Sequence, residues 1–136
     1  RPFTGQGFIA TAMGSILKGD EVTVFGERGT IRDYVHVRDV AAGIVAALDC
    51  GEAGGIYNIG SGIGRDNVQV LDLIEPLVRA CGRDLRIRRL PARAFDVAAN
   101  VLDSTRLHDC SGWRAQTGFE EGLAGLWASI AAGAFH

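Results

Sequence analysis

Lysine is almost missing from this sequence. Of the fourteen basic residues, Lys18 alone is not arginine. Gly14 stands four positions before it, so no tyrosine–lysine pair one helical turn apart is available to move a proton. Cysteine is scarce as well: Cys50, Cys81 and Cys110 lie far apart and form no CxxC pair. That spacing argues for a reducing compartment, the cytoplasm, and for cysteines used as small hydrophobes; it argues against a disulfide framework or a zinc site. No apolar run approaches the ~20 residues that cross a bilayer, so no membrane span is expected. With a formal net charge of −2, general attraction to nucleic acid or to an anionic membrane is not expected either. The opening Arg1-Pro2-Phe3-Thr4 has neither an initiator Met nor the charged-then-apolar plan of a signal peptide. It is expected to be an internal start, with further sequence upstream.

What is present fits one α/β domain of 136 residues, large enough for a working core. Phe8 to Leu17 carries apolar residues at helical spacing and ends at Lys18-Gly19. Val22 to Phe25 predicts a strand stopped by Gly26. Ile31 to Val37 alternates as a strand, with Ile31, Asp33, Val35 and Val37 on one face, and Asp39 is placed to cap the helix that follows. That helix is apolar nearly all round, as expected of one packed between layers. Ile56 to Ile59 predicts another strand, and Asn67 is placed to cap a helix through Cys81 that Pro76 should kink or split. Leu85 to Leu90 reads as a strand, Asp103 or Ser104 opens a short helix, and Phe119 to Ile130 carries the last one.

Several motifs suggest chemistry that their context withdraws. Gly5-Gln6-Gly7-Phe8-Ile9-Ala10 matches a dinucleotide-binding pattern, but no strand leads into it and no acidic residue follows about twenty positions on. It reads as a helix-entry loop. Gly60-Ser61-Gly62-Ile63-Gly64 lacks the third spaced glycine and reads as a turn. His36, Asp33 and Asp39 resemble a metal set, yet on a strand Asp33 and His36 point to opposite faces. No metal site, no cofactor site and no catalytic residue is therefore expected here.

Arginine is concentrated in Arg79, Arg83, Arg86, Arg88, Arg89 and Arg93, against the single acid Asp84. Most of these suit a solvated strand face. Arg93, beyond the strand end in Pro91-Ala92-Arg93-Ala94-Phe95-Asp96, and Arg32, beside Asp33 after a glycine-containing loop, suit the forked recognition of phosphate. Phe95 is the one aromatic close to the arginine run, too little for a base-stacking nucleic-acid platform.

Five stretches carry a resemblance in order along the chain: Gly26-Glu27-Arg28-Gly29-Thr30-Ile31-Arg32-Asp33-Tyr34-Val35-His36-Val37-Arg38-Asp39-Val40; Tyr57-Asn58-Ile59-Gly60-Ser61-Gly62; Pro91 to Val97; Asp103-Ser104-Thr105-Arg106; and Gly112-Trp113 through Leu123. Together they resemble the carboxy-terminal, substrate-binding part of extended short-chain dehydrogenases/reductases that act on nucleotide sugars, the NAD-dependent epimerase/dehydratase family, and most nearly its 4-epimerases. The sequence departs from the family pattern in Gly26-Glu27-Arg28-Gly29, where Gly-Asp-Gly is usual, and at Arg38, Arg106, Ser111 and Ala115.

The resemblance implies that Arg32 and Arg93 contact the diphosphate of a UDP-sugar, that Asp96 accepts from the ribose hydroxyls, and that Phe25 lies along the uracil. It also implies that NAD and the proton-transferring Tyr-x-x-x-Lys belong to an upstream Rossmann domain absent from residues 1–136, so that this chain is a fragment inactive by itself. A dehydratase or reductase of the same family, or a standalone nucleotide-sugar-binding module, are the alternatives. Self-association through surface that the NAD domain would cover is a further expectation.

Overall fold

The computed structural model describes residues 7–133. In chain order its elements are α1 (Phe8–Lys18), β1 (Val22–Phe25), β2 (Ile31–Asp33), α2 (Val37–Cys50), β3 (Gly64–Arg65), α3 (Asn67–Ala80), β4 (Ile87–Leu90), β5 (Ala99–Asn100), α4 (Thr105–Ser111) and α5 (Phe119–Ala131). This is the α/β composition with short strands that the sequence predicts. The described chain divides into two compact units, one formed by residues up to 30, 66–98 and from 120, the other by 31–65 and 99–119.

In the first unit β1 and β4 pair in parallel, Val22 opposite Ile87 and Phe25 opposite Leu90. Met13 and Ile16 of α1, Val24 of β1, Leu71, Ile74 and Val78 of α3, and Leu123 and Trp127 of α5 are buried and form the core. Helix α1 ends where expected. Gly19 takes φ 77°, its N–H bonds to Ile16 O, and Asp20 N bonds to Ser15 O, closing the last turn. Helix α3 begins one residue earlier than expected in its capping: Asp66, not Asn67, is the cap. Its carboxylate accepts from Gln69 N at 2.8 Å while the Gln69 side chain accepts from Asp66 N at 2.9 Å, a reciprocal box. The expected split at Pro76 does not occur. Ile74 and Val78 on either side of it are fully buried, and that packing holds α3 as one helix from Asn67 to Ala80.

Three expectations for the arginine run are refined here. Arg83 donates to Leu17 O at 3.0 Å, Arg86 donates to Gly19 O, and Arg89 donates to Glu27 O. The first two meet carbonyls at the C-terminal end of α1, where a cation also complements the helix dipole. Arg83, Arg86 and Arg89 are thus exposed and partly structural, beyond a merely solvated face.

In the second unit β2 lies between β3, antiparallel, and β5, parallel. The predicted strand 31–37 is shorter than its pattern, because His36 leaves it to cap α2, its Nδ1 accepting from Arg38 N at 3.3 Å. Asp39 is therefore not the cap; it is buried, and its Oδ2 accepts from Thr117 N at 2.9 Å. Residues 56–59 form no strand among the described residues. Side chains hold that segment instead: Arg106 donates to Ile56 O, and Tyr57 Oη accepts from Glu52 N.

Helix α2 packs on α4, and Cys50 and Cys110 form a disulfide between them across a separation of 60 residues. This corrects the expectation drawn from cysteine spacing. Spacing along the chain says nothing of two helix ends that the fold brings together. Cys81, the remaining cysteine, is exposed, not a buried hydrophobe. The mid-helix Gly43 lets α2 approach closely, since a Cβ there would lie 3.0 Å from Ile59 Cγ2 and 3.1 Å from Trp113 Cε2. The opposite side of α2 is not packed between layers: Val37, Ile44, Val45 and Leu48 are exposed.

Candidate functional site

The parallel register of β1 and β4 decides what meets at their ends. Because Phe25 lies opposite Leu90, both strands finish at the same edge, and the segment after Leu90 passes beside Phe25. Gly26 turns the chain there with φ 78°, and a Cβ on it would stand 3.3 Å from Ala92 Cβ. The carboxyl edge of parallel strands is where α/β proteins commonly bind ligands.

At that edge the Arg93 guanidinium carbon lies 3.9 Å from the centroid of the Phe25 ring, within cation–π range. Its Nε donates to Asp96 Oδ2 at 2.8 Å, and Asp96 N bonds back to Arg93 O at 3.2 Å, closing a turn. Arg93 is thus oriented by a ring below and a carboxylate at one edge. Its two terminal nitrogens have no hydrogen-bond partner among the described residues, and the side chain is 42% exposed. A second ring, Phe95, has its centroid 5.2 Å from the same guanidinium carbon.

The neighbouring loop is fixed by charge and by shape. Arg28 donates through Nε to Asp66 Oδ2 at 2.6 Å and through Nη2 to Asp66 Oδ1 at 3.2 Å, a two-pronged contact. Burial opposes ionisation of Asp66, but the bonds from Arg28 and Gln69 N outweigh it and hold the carboxyl below the ordinary carboxylate range. Gly29 takes φ 79°, and a Cβ there would fall 2.6 Å from the Asn67 side chain, so the loop admits only glycine at this point.

Three of the four sequence-predicted site residues, Phe25, Arg93 and Asp96, therefore come together in one unit. The fourth, Arg32, belongs to the other unit. It sits on β2 opposite Arg65 and donates through Nη1 to Ile31 O at 2.7 Å. Beside it, Asp33 accepts from the backbone N–H groups of Ser61, Gly62 and Leu102 at 3.0–3.2 Å and from Ser61 Oγ. With Gly60 N donating to Ser104 Oγ and Ile63 N to Ser61 Oγ, the amides of residues 60–63 are committed within the protein. Gly5 and Gln6 of the other glycine pattern lie outside the described residues. No group of His, Cys, Asp or Glu suited to a metal ion occurs among the described residues.

The second unit holds an open cleft of about 870 Å³ lined by Tyr34, Arg65, His108, Trp113, Arg114 and Phe119 among others. None of the four predicted site residues lines it. The Tyr34 ring lies tilted at 5.5 Å from that of Phe119, its buried hydroxyl has no hydrogen-bond partner among the described residues, and burial raises its pKa against the opposing charge of Arg32.

Comparison with known proteins agrees with this architecture. Residues 1–60 match the NAD dependent epimerase/dehydratase family. A UDP-glucose 4-epimerase of Caenorhabditis elegans is 35% identical over 131 residues, 93% of this chain and 36% of that protein. The chain belongs to the NAD-dependent epimerase/dehydratase family. The crystal structure of UDP-glucose 4-epimerase from Thermotoga maritima with UDP-glucose superposes with a TM-score of 0.87 at 30% identity, covering 98% of this chain and 42% of that one. The Thermus thermophilus UDP-glucose 4-epimerase complex with NAD gives 0.81 at 33%, covering 96% and 42%. The chain thus spans about two-fifths of the length of these relatives. No described helix is long and apolar enough to cross a membrane.

Two features of the site region and one of the second unit are not legible in the sequence. Phe95 reads from the sequence as a lone aromatic beside the arginine run, and the Arg28–Asp66 pair joins residues 38 positions apart. The departure from Gly-Asp-Gly at Arg28 was the available signal. The Cys50–Cys110 bond had none.

Proposed function

We propose that this chain is the nucleotide-sugar-binding portion of a sugar-nucleotide 4-epimerase acting on UDP-sugars of the glucose/galactose kind. The observation that carries the reading is the orientation of Arg93 over Phe25 by Asp96, at the shared carboxyl edge of β1 and β4. A guanidinium with its Nε occupied and its terminal nitrogens outward presents a fork to a phosphate. Asp96 keeps Oδ1 for a ribose hydroxyl, and the half-buried Phe25 ring offers a flat face to a base. Arg32 is assigned a phosphate contact on the resemblance of the Gly26 to Val40 stretch alone.

NAD, in the part of such proteins that this chain does not span, supplies hydride acceptance and return. The residues described here bind and orient, and by themselves turn nothing over. A dehydratase reaction is the second reading, because the family embraces both chemistries. Calorimetry with UDP-glucose tests the assignment: Arg93→Ala should cost about 1.5–3 kcal/mol, the range of a hydrogen bond to a charged group. Unchanged affinity would overturn it, and epimerase turnover by the isolated chain would overturn the claim of inactivity.

A further inference from the structure

The side chain of Phe95 has no place in the core. The residue is 79% exposed, two positions beyond Arg93, and its ring interaction among the described residues is with the Arg93 guanidinium at 5.2 Å. A singly exposed apolar side chain is ordinary; what sets Phe95 apart is the oriented cation beside it, which a second ring also faces. The same cation lies 3.9 Å from Phe25, so two aromatic rings converge on one partly exposed charge. The ligand such a group fits is flat and π-faced at one end and anionic at the other.

We propose that Phe95 is a second aromatic contact for the base of a nucleoside diphosphate, and sets how tightly the base end is held while Arg93 holds the phosphate end. The inference rests on the reading of Arg93 as a phosphate contact and adds to it a residue that selects for the base. Phe25 is half-buried and contributes a fixed face; Phe95 is exposed and contributes a face that closes on the ligand.

Calorimetry with two probes on the full chain separates the base from the phosphate. UDP carries both ends and inorganic pyrophosphate carries one. Phe95→Ala should weaken UDP binding roughly tenfold, as loss of one base–aromatic stack does, and leave pyrophosphate affinity unchanged. Phe95→Trp should hold UDP at least as tightly as the parent, and Phe95→Leu, which keeps an apolar side chain without a π-face, should resemble Phe95→Ala. Parent-like UDP binding by Phe95→Ala overturns the proposal. So does an equal loss for UDP and pyrophosphate, which would place Phe95 behind Arg93 and not against a base. Arg93→Ala separates the two readings: loss of both probes supports the phosphate contact whatever Phe95 does, and loss of neither overturns that contact and the Phe95 inference with it.

Discussion

Asp39 Oδ2 accepts the Thr117 backbone N–H at 2.9 Å across 78 positions of sequence, while the backbone carbonyl of the same aspartate accepts Trp113 Nε1 at 3.1 Å. One residue in the first turn of α2 thereby anchors the segment leading to α5 through two independent atoms. Burial opposes the charge on Asp39, but the Thr117 and Gln116 hydrogen bonds prevail and hold its carboxyl below the ordinary range. Asp39→Ala should lower unfolding free energy by about 1.5–3 kcal/mol, and Asp39→Asn by less, as read from denaturant midpoints at neutral pH.

The depressed carboxyls of Asp39 and Asp66 make acid destabilising in a defined direction. Each contributes stability above the unfolded carboxylate pKa of ~3.9, and that contribution disappears as pH falls through the lower folded value. The parent chain should therefore lose stability steeply below about pH 4. Asp39→Asn should flatten part of that slope. A variant curve parallel to the parent's would remove Asp39 as a source.

The Cys50–Cys110 bond closes a span of 60 residues and restricts the unfolded chain accordingly. Reduction, or Cys50→Ser with Cys110→Ser, should cost roughly 2–4 kcal/mol. Thiol titration should find one reactive group, Cys81, in the native protein and three after reduction and unfolding. Three reactive thiols without reductant would contradict the pairing.

Arg93→Ala, Arg32→Lys and Arg88→Ala make a graded set. Arg88 is exposed on β4 and should change UDP affinity little, whereas Arg32→Lys should weaken it because an ammonium cannot make a planar fork. Equal, steeply salt-dependent losses at all three positions would indicate general attraction instead.

Val37, Ile44, Val45 and Leu48 leave an apolar stripe along α2 with exposures of 50–79%. A contiguous apolar stripe of this kind favours association. Sedimentation should show the isolated chain self-associating, and Leu48→Glu should shift it towards monomer. A parent that sediments as a clean monomer at high concentration would count against it.

Much of this fold is legible from pattern because its signals are local. The spacing of Met13 and Ile16, the stop at Gly19 and the run Val22 to Phe25 each act within a few residues, and each is found where expected. The reading failed where a distant partner decided the outcome. Asp39 looks like a cap until Thr117 claims it, and Asn67 looks like one until Arg28 favours the charge on Asp66. Residues 56–59 have the composition of a strand and, among the described residues, no neighbour to pair with. For the site, the resemblance assigned Phe25, Arg32, Arg93 and Asp96 to one ligand; strand register carries Phe25, Arg93 and Asp96 to one edge, while Arg32 belongs to the other unit. It was silent on Phe95, whose significance is the direction of a side chain and not its position in a motif.

The two tryptophans fall one to each unit. Trp127 is buried in the first with Nε1 donating to Cys81 Sγ at 3.4 Å, and Trp113 is buried in the second against Asp39. Each unit therefore carries its own intrinsic fluorophore, one beside a thiol and one beside a peptide carbonyl. Paired Trp113→Phe and Trp127→Phe variants would resolve the emission of each unit during unfolding. Coincident transitions would mark one cooperative block, and separated ones would give the order in which the two halves melt.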